Sequence, residues 1–216
     1  MKNTVLGAIY LSLAASIWGG MYVVSKYVLK FIPPFTLVWL RYAIAFVLLY
    51  LILRLVQRRT GTCSRIDRKG WILLGWIGFI GYFVSISCQF IGTMLSDAHT
   101  GALITAATPA FIVIFARFVL KETLTVQKVV SLLIATLGVA IVVGWNPNLG
   151  TYFWGSIILV AAAITWALLS VYVKLASYRY SSLTITTYAI LFALVFTTPF
   201  MLGEIQTNNI LLNDSL

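Results

Sequence analysis

Bond-making chemistry needs titratable or nucleophilic side chains held close together, and this chain has few. Its 216 residues include one histidine, two cysteines and five acidic residues. His99 stands alone, Cys63 falls in a polar loop and Cys88 in an apolar run, and the acids lie near the ends of apolar segments. No spacing among them makes a metal cluster, and no nucleophile has a base beside it. We therefore expect no enzyme, no catalytic residue, no metal, no cofactor and no disulfide. The chain does carry cations and aromatic residues at helical spacing. Trp18, Tyr22 and Lys26 are four residues apart and drift around one side of a helix turning about 100° per residue. The series Trp166, Ser170, Lys174 repeats the pattern, and Arg41 is a third cation inside an apolar run. Such groups perform recognition: a cation meets a carboxylate, with aromatic walls beside it.

The elements that must position these residues follow from composition. The chain is 61% hydrophobic and 9% charged, with a mean hydropathy of +1.00, whereas soluble domains carry about 25% charged residues. Twenty charged residues cannot cover a water-facing surface of this size. A soluble enzyme and a nucleic-acid-binding protein are excluded despite the net charge of +10; an all-α integral membrane protein remains. A bilayer core of ~30 Å takes about 20 apolar helical residues. Runs at 3–25, 31–53, 70–96 and 100–116 give four spans, 129–173 divides at Asn146-Pro147-Asn148-Leu149-Gly150 into a fifth and a sixth, and 180–203 gives a seventh. From Glu204 onward the chain reads as a polar tail. The first span is too long and too closely followed by others to be a cleaved signal peptide. Continuous rather than alternating apolar runs exclude a β-barrel.

Lysine and arginine set the orientation. Twelve of the 15 fall at one end of the predicted bundle, six of them between spans 2 and 3, while Lys26, Lys30 and Arg41 fall toward the other. We expect a multi-pass plasma-membrane protein with the N-terminus in the cytoplasm and the C-terminal tail outside. The lipid bilayer is then its first partner, and the positive charge is mainly a topology signal.

The chain also repeats itself. A shift of 148 residues superposes spans 1–2 on spans 6–7 without a gap, with 11 identities in 43 pairs, among them Gly7 with Gly155, Trp18 with Trp166, Lys26 with Lys174 and Thr36 with Thr184. Five spans separate the copies. Because five is odd, the copies run in opposite directions, which makes an inverted repeat. Residues 1–148 form one five-helix repeat, and 149–216 supply two helices and a polar tail of the second. Three further helices would complete a 5 + 5 arrangement of about 296 residues, so a truncated frame or fragment is expected.

The order of motifs resembles the drug/metabolite transporter superfamily, in its EamA-type ten-helix branch. The matching residues are Trp18-Gly19-Gly20 with Lys26, Pro33-Pro34-Phe35-Thr36 with Arg41-Tyr42, Ala102-Leu103-Ile104 with Pro109, Leu120-Lys121-Glu122-Thr123-Leu124, and Gly138-Val139. The resemblance implies alternating-access export or exchange of amino acids, related metabolites or drugs. The alternative is an inactive truncated remnant or an assembly subunit, in which a homo-oligomer or a partner supplies the missing helices. A light-sensing protein would need a Schiff-base lysine in the last span, and 180–203 has none.

Ionisable groups inside a bilayer are costly and mark candidate sites. The expected substrate pathway comprises Trp18, Tyr22, Lys26, Arg41, Thr105, Pro109, Trp166, Ser170 and Lys174, with Asp97 and His99 as an outer gate. Each has a plainer alternative. Lys26 and Lys174 fit snorkelling lysines at helix ends, Trp18 and Trp166 packing residues at the repeat axis, and Asp97 and His99 solvated turn residues. Arg41 is within reach of the bilayer surface or of Asp97. Pro109 should kink span 4, whose alanines at 98, 102, 106 and 110 permit close helix approach, as should Gly75, Gly78 and Gly81 in span 3. Glu122 fits a loop ion pair. No acid lies at mid-depth, so a carboxylate proton relay has no candidate and a substrate with a carboxylate is favoured over an organic cation.

Overall fold

The structure, a computed structural model, describes residues 2–61, 66–121, 123, 125–143 and 150–213. Cys63, Glu122, Trp145 and the 146–149 part of the expected turn lie outside the described residues.

Lipid offers the backbone no hydrogen bonds, so apolar runs must satisfy their own amides and become helices. Among the described residues all regular structure is helical. Helix α1 is Lys2–Val28 and α2 is Pro34–Thr60, ended by Gly61 in the left-handed conformation (φ 64°) that glycine adopts without strain. The third span is one rod in three parts: α3 (Arg68–Ile77), a π-helical stretch (Gly78–Ser85) and α4 (Ile86–Leu95). The fourth is α5 (Ala98–Ala106) and α6 (Thr108–Val119), interrupted at Ala107, two residues before Pro109, where a kink is expected. Helices α7 (Val126–Val143), α8 (Thr151–Ser177) and α9 (Ser182–Asn213) follow. Six of the seven rods are long and apolar enough to cross a membrane; α7 has a shorter apolar stretch, Val126–Gly138. Helix α9 continues past Gly203, so Glu204 stands on a helix rather than in a tail.

Helix α8 is the central rod, packed on α4, the π-helical stretch, α5 and α6, while α9 packs on α2 and the π-helical stretch. Without a water-driven force between helices in lipid, such contacts depend on close backbone approach and on polar cross-links. Gly155 of α8 faces the end of α4 so closely that a Cβ there would stand 2.8 Å from the Ser96 amide nitrogen. Deeper along the pair, the buried Ser85 hydroxyl donates to the Ala162 carbonyl at 2.7 Å. Gly78 meets the Ala189 carbonyl of α9 and Gly81 meets Leu169 of α8, the close contacts expected of the span-3 glycines.

Helices α2 and α9 run antiparallel. Phe35 stacks on Phe200 at 5.0 Å, and Trp39 Nε1 donates to Thr198 Oγ1 at 3.1 Å. The start of α2 reads Pro33-Pro34, so no side chain there can cap it. Glu204 serves instead: its Oε1 accepts the Phe35 amide at 3.0 Å, and its Oε2 accepts the Thr36 amide at 2.7 Å and the Thr36 hydroxyl at 2.9 Å. A carboxylate at a helix N-terminus satisfies orphan amides and opposes the helix dipole.

At the arginine-rich end, Asp67 caps α3 through the Gly70 amide (3.0 Å) and accepts the Tyr180 hydroxyl from the α8–α9 turn at 2.5 Å. That hydroxyl and the Gly70 amide hold the Asp67 carboxyl below its usual range, and the same bond to Asp67 raises the Tyr180 phenol. The outward faces of α1, α2 and α7 are apolar, with Ile17 73% and Ile141 79% exposed, which suits lipid.

Candidate substrate cavity

Five rods line a hollow of about 320 Å³, contributing Trp18 of α1, Arg41 and Tyr42 of α2, Tyr82 of the π-helical stretch, Trp166 of α8 and Ile190 of α9. Trp18 and Trp166, related by the 148-residue shift, meet with ring centroids 4.9 Å apart. Tyr82 stands edge-on to Trp166 at 6.1 Å and to Tyr42 at 6.3 Å. The Tyr42 hydroxyl donates to the Tyr82 carbonyl. The π turn positions Tyr82: an extra residue per turn re-aims side chains within a helix, and such stretches are frequent at functional sites.

Arg41 lies about 10 Å along α2 from its start, with its guanidinium 5.2 Å from the Phe90 ring centroid and one amino group donating to Met21 Sδ at 3.0 Å. A sulfur and a ring face leave much of a five-donor guanidinium open to a carboxylate. The expected pair with Asp97 does not form. Asp97 caps α5, accepting the Thr100 amide at 2.7 Å and the Thr100 hydroxyl at 3.0 Å. Desolvation pushes this carboxyl up, but the Thr100 bonds and His99 outweigh it, and Asp97 stays below its usual range. The Thr100 hydroxyl also meets Tyr152 Oη at 2.6 Å, joining α5 to α8. His99 is exposed beside this cap.

The Trp18–Tyr22–Lys26 series divides its duties. Trp18 reaches the hollow. Tyr22, 2% exposed, meets Thr105 Oγ1 at 2.5 Å and fastens α1 to α5. Lys26 Nζ donates to the carbonyls of Thr93 and Met94 at 2.8 Å and of Ser96 at 2.6 Å. These are the orphan carbonyls at the end of α4, and they occupy all three ammonium donors. An anion would therefore have to displace backbone from Lys26, which it need not do at Arg41. In the second series, the Ser170 hydroxyl donates to the Trp166 carbonyl of its own helix at 3.0 Å. Lys174 sits in the last turn of α8, at the opposite end from Lys26. Pro109 lines a separate hollow of about 360 Å³ beside α7, with Ala106, Val113 and Lys128.

The structure thus joins Trp18 with Trp166 and Arg41, joins Tyr22 with Thr105, and sets Lys26, Pro109, Ser170 and Lys174 elsewhere. Sequence reasoning missed Tyr42, Tyr82 and Glu204. Tyr42 adjoins Arg41 in the motif, and the uncapped Pro33-Pro34 start signalled the need for an outside acceptor such as Glu204. Nothing in the sequence announced the π turn that aims Tyr82.

Residues 5–144 match the EamA-like transporter family. The chain is 31% identical over 201 residues to the uncharacterized transporter YetK of Bacillus subtilis, covering 90% of this chain and 60% of that protein. It is 25% identical over 199 residues to an uncharacterized transporter of Archaeoglobus fulgidus, covering 92% and 68%. To the uncharacterized transporter YoaV of Bacillus subtilis it is 27% identical over 180 residues, covering 81% and 58%. The chain spans about 60% of the length of the first of these relatives. No solved structure matches it.

Proposed function

The chain belongs to the EamA-like transporter family, and from that premise we propose that it serves as a carrier of small metabolites, exporting or exchanging amino acids, related carboxylates or drugs. One observation carries this reading: the hollow at the Trp18–Trp166 contact pairs aromatic walls with the Arg41 guanidinium inside a membrane-spanning bundle. A cation lining a cavity within an apolar span recognises an anion, and aromatic walls receive the substrate's apolar part.

In this proposal residues 1–148 and 149–216 are the two inverted repeats, whose rocking exposes the hollow to either side in turn. Trp18 and Trp166 are the walls and Arg41 the anion partner. Tyr22 and Thr105 fasten α1 to α5, and Lys26 fastens it to the end of α4. Asp97 and His99 form an outer gate at the α4–α5 turn. Pro109 marks a break that lets span 4 flex, and Ser170 and Lys174 extend the second copy toward the cytoplasm. Orientation follows the charge bias, with the arginine-rich end in the cytoplasm and the membrane being the plasma membrane. A second reading, an assembly subunit working with further helices or another copy, is favoured by the bare apolar face of α1, where Ile9, Leu13 and Ile17 are 50%, 55% and 73% exposed.

The test is counterflow of labelled amino acids and related carboxylates into vesicles carrying the purified chain. Transport is expected, and Arg41→Met should lower it about tenfold or more at equal protein level, as loss of a charged hydrogen bond does. No transport of any carboxylate by the chain, alone or with added helices, would remove the carrier reading. Transport only with added helices would select the second one.

A further inference from the structure

A second hollow of about 230 Å³ lies at the arginine-rich end, between the start of α3 and the end of α8. Two cations line it, Lys69 and Arg179, with Tyr180 as an aromatic wall and Leu73 and Leu175 on the side that runs into the apolar region. Among the described residues neither cationic side chain has a hydrogen bond or an ion pair. Two like charges sharing one hollow repel unless an anion lies between them. Asp67 stands near Arg179, whose charge helps hold its carboxyl low, but makes no ion pair with it, and its Oδ1 is taken by the Tyr180 hydroxyl and the Gly70 amide. Arg68 opens α3 and Lys174 lies in the last turn of α8, so the surroundings stay net positive.

We propose that this hollow binds the phosphate of an anionic membrane lipid, held between Lys69 and Arg179, with the lipid's acyl chains running along Leu73 and Leu175. The site is independent of the transport reading and far from Arg41. The reasoning is chemical. An arginine fork and a lysine ammonium are the side chains best suited to a phosphate oxyanion. Their position at the boundary of an apolar span puts them at headgroup depth, where basic pockets between helices hold anionic headgroups. The leucine pair distinguishes an amphiphile from a free ion, since free phosphate gains nothing from an apolar wall.

The experiment measures the thermal midpoint of the purified chain in neutral detergent, titrated with phosphatidylglycerol, phosphatidylcholine or inorganic phosphate. Phosphatidylglycerol should stabilise saturably and phosphatidylcholine should not. Each basic residue at an anionic headgroup is worth about fivefold in affinity, so Lys69→Ala/Arg179→Ala should weaken phosphatidylglycerol about thirtyfold. Arg58→Ala/Arg59→Ala, on α2 at the same end, should leave it unchanged, and Lys69→Arg/Arg179→Lys should restore most of it. Equal losses in the two alanine pairs, or equal stabilisation by phosphatidylcholine, would overturn the site. The same Lys69- and Arg179-dependent shift with inorganic phosphate alone would overturn the lipid source while keeping the phosphate site. Should the alanine pair fail to fold, native mass spectrometry of the unaltered chain decides: retention of phosphatidylglycerol over phosphatidylcholine is expected, and equal retention rejects the proposal.

Discussion

Helices α1 and α8 carry glycine, tryptophan and lysine at positions 148 residues apart, yet 6% of the apolar window of α1 is buried against 39% of that of α8. Helix α8 runs through the middle of α3 to α6, whereas the backbone of α1 comes close only to α4 and α5 and reaches α8 and α2 through side chains such as Trp18 and Met21. A Cβ at Gly155 would stand 2.8–3.0 Å from the backbone of α4 and Ser96, whereas one at its counterpart Gly7 would meet nothing within 4 Å. The pair α2 and α9 differs in the same way at its N-termini. Glu204 reaches across from another helix to cap α2, while α9 uses its own Ser181, whose hydroxyl accepts the Thr184 amide at 3.2 Å. The lesson is that a shared sequence pattern fixes what a helix can present, and its neighbours decide which of those residues bear load.

The largest expected effect breaks the comparison at its glycines. Gly155→Leu forces α8 away from α4 and should cost about 3 kcal/mol or more, whereas Gly7→Leu should stay within about 0.5 kcal/mol. Thermal unfolding of the two detergent-solubilised variants checks this, and equal losses would show that α1 is covered in the working protein. Next come the two caps. Glu204→Ala removes three hydrogen bonds from the α2 start and should cost about 2 kcal/mol, against about 1 kcal/mol for Ser181→Ala. A ranking reversed in chemical denaturation would mean that the carboxylate caps nothing. The tryptophan contact sharpens the repeat itself. A double-mutant cycle on Trp18→Phe and Trp166→Phe should give a coupling near 1 kcal/mol, as aromatic pairs in contact do. Independent, additive losses would place the two rings apart.

The smallest effect is a pH dependence at the opposite end. The Tyr180 hydroxyl depresses the Asp67 carboxyl, so this contact adds stability above the ordinary carboxylate pKa of about 4 and loses it as the pH falls through the lowered folded-state value. Tyr180→Phe should flatten the acid limb of the stability curve by lowering stability slightly at neutral pH while leaving the acid end, where the contact is already lost, nearly untouched. An unchanged acid limb would count against the bond.

Much of the fold was legible because lipid makes the problem local. A run such as 70–96 has to be a helix wherever it packs, and charge counting orders the ends without reference to neighbours. The site was legible only in part. The repeat singled out Trp18 and Trp166, which meet, but it weighted Lys26 and Lys174 equally with Arg41. Lys26 is bound to the end of α4, a fact that depends on where residues about 70 positions away come to rest. Tyr82 was invisible because no local rule foretells a π turn.

The sequence by itself determined the membrane class, the helical spans, the bias of positive charge to one end and the 148-residue repeat, since each follows from local hydrophobicity, charge or self-similarity. Tertiary structure alone decided that Arg41 faces the hollow and Lys26 does not, that Glu204 caps a helix 168 residues away, and that α8 is buried where α1 is bare. The physical reason is that a side chain's partner across a bundle depends on helix rotation and depth, which packing sets and composition leaves open.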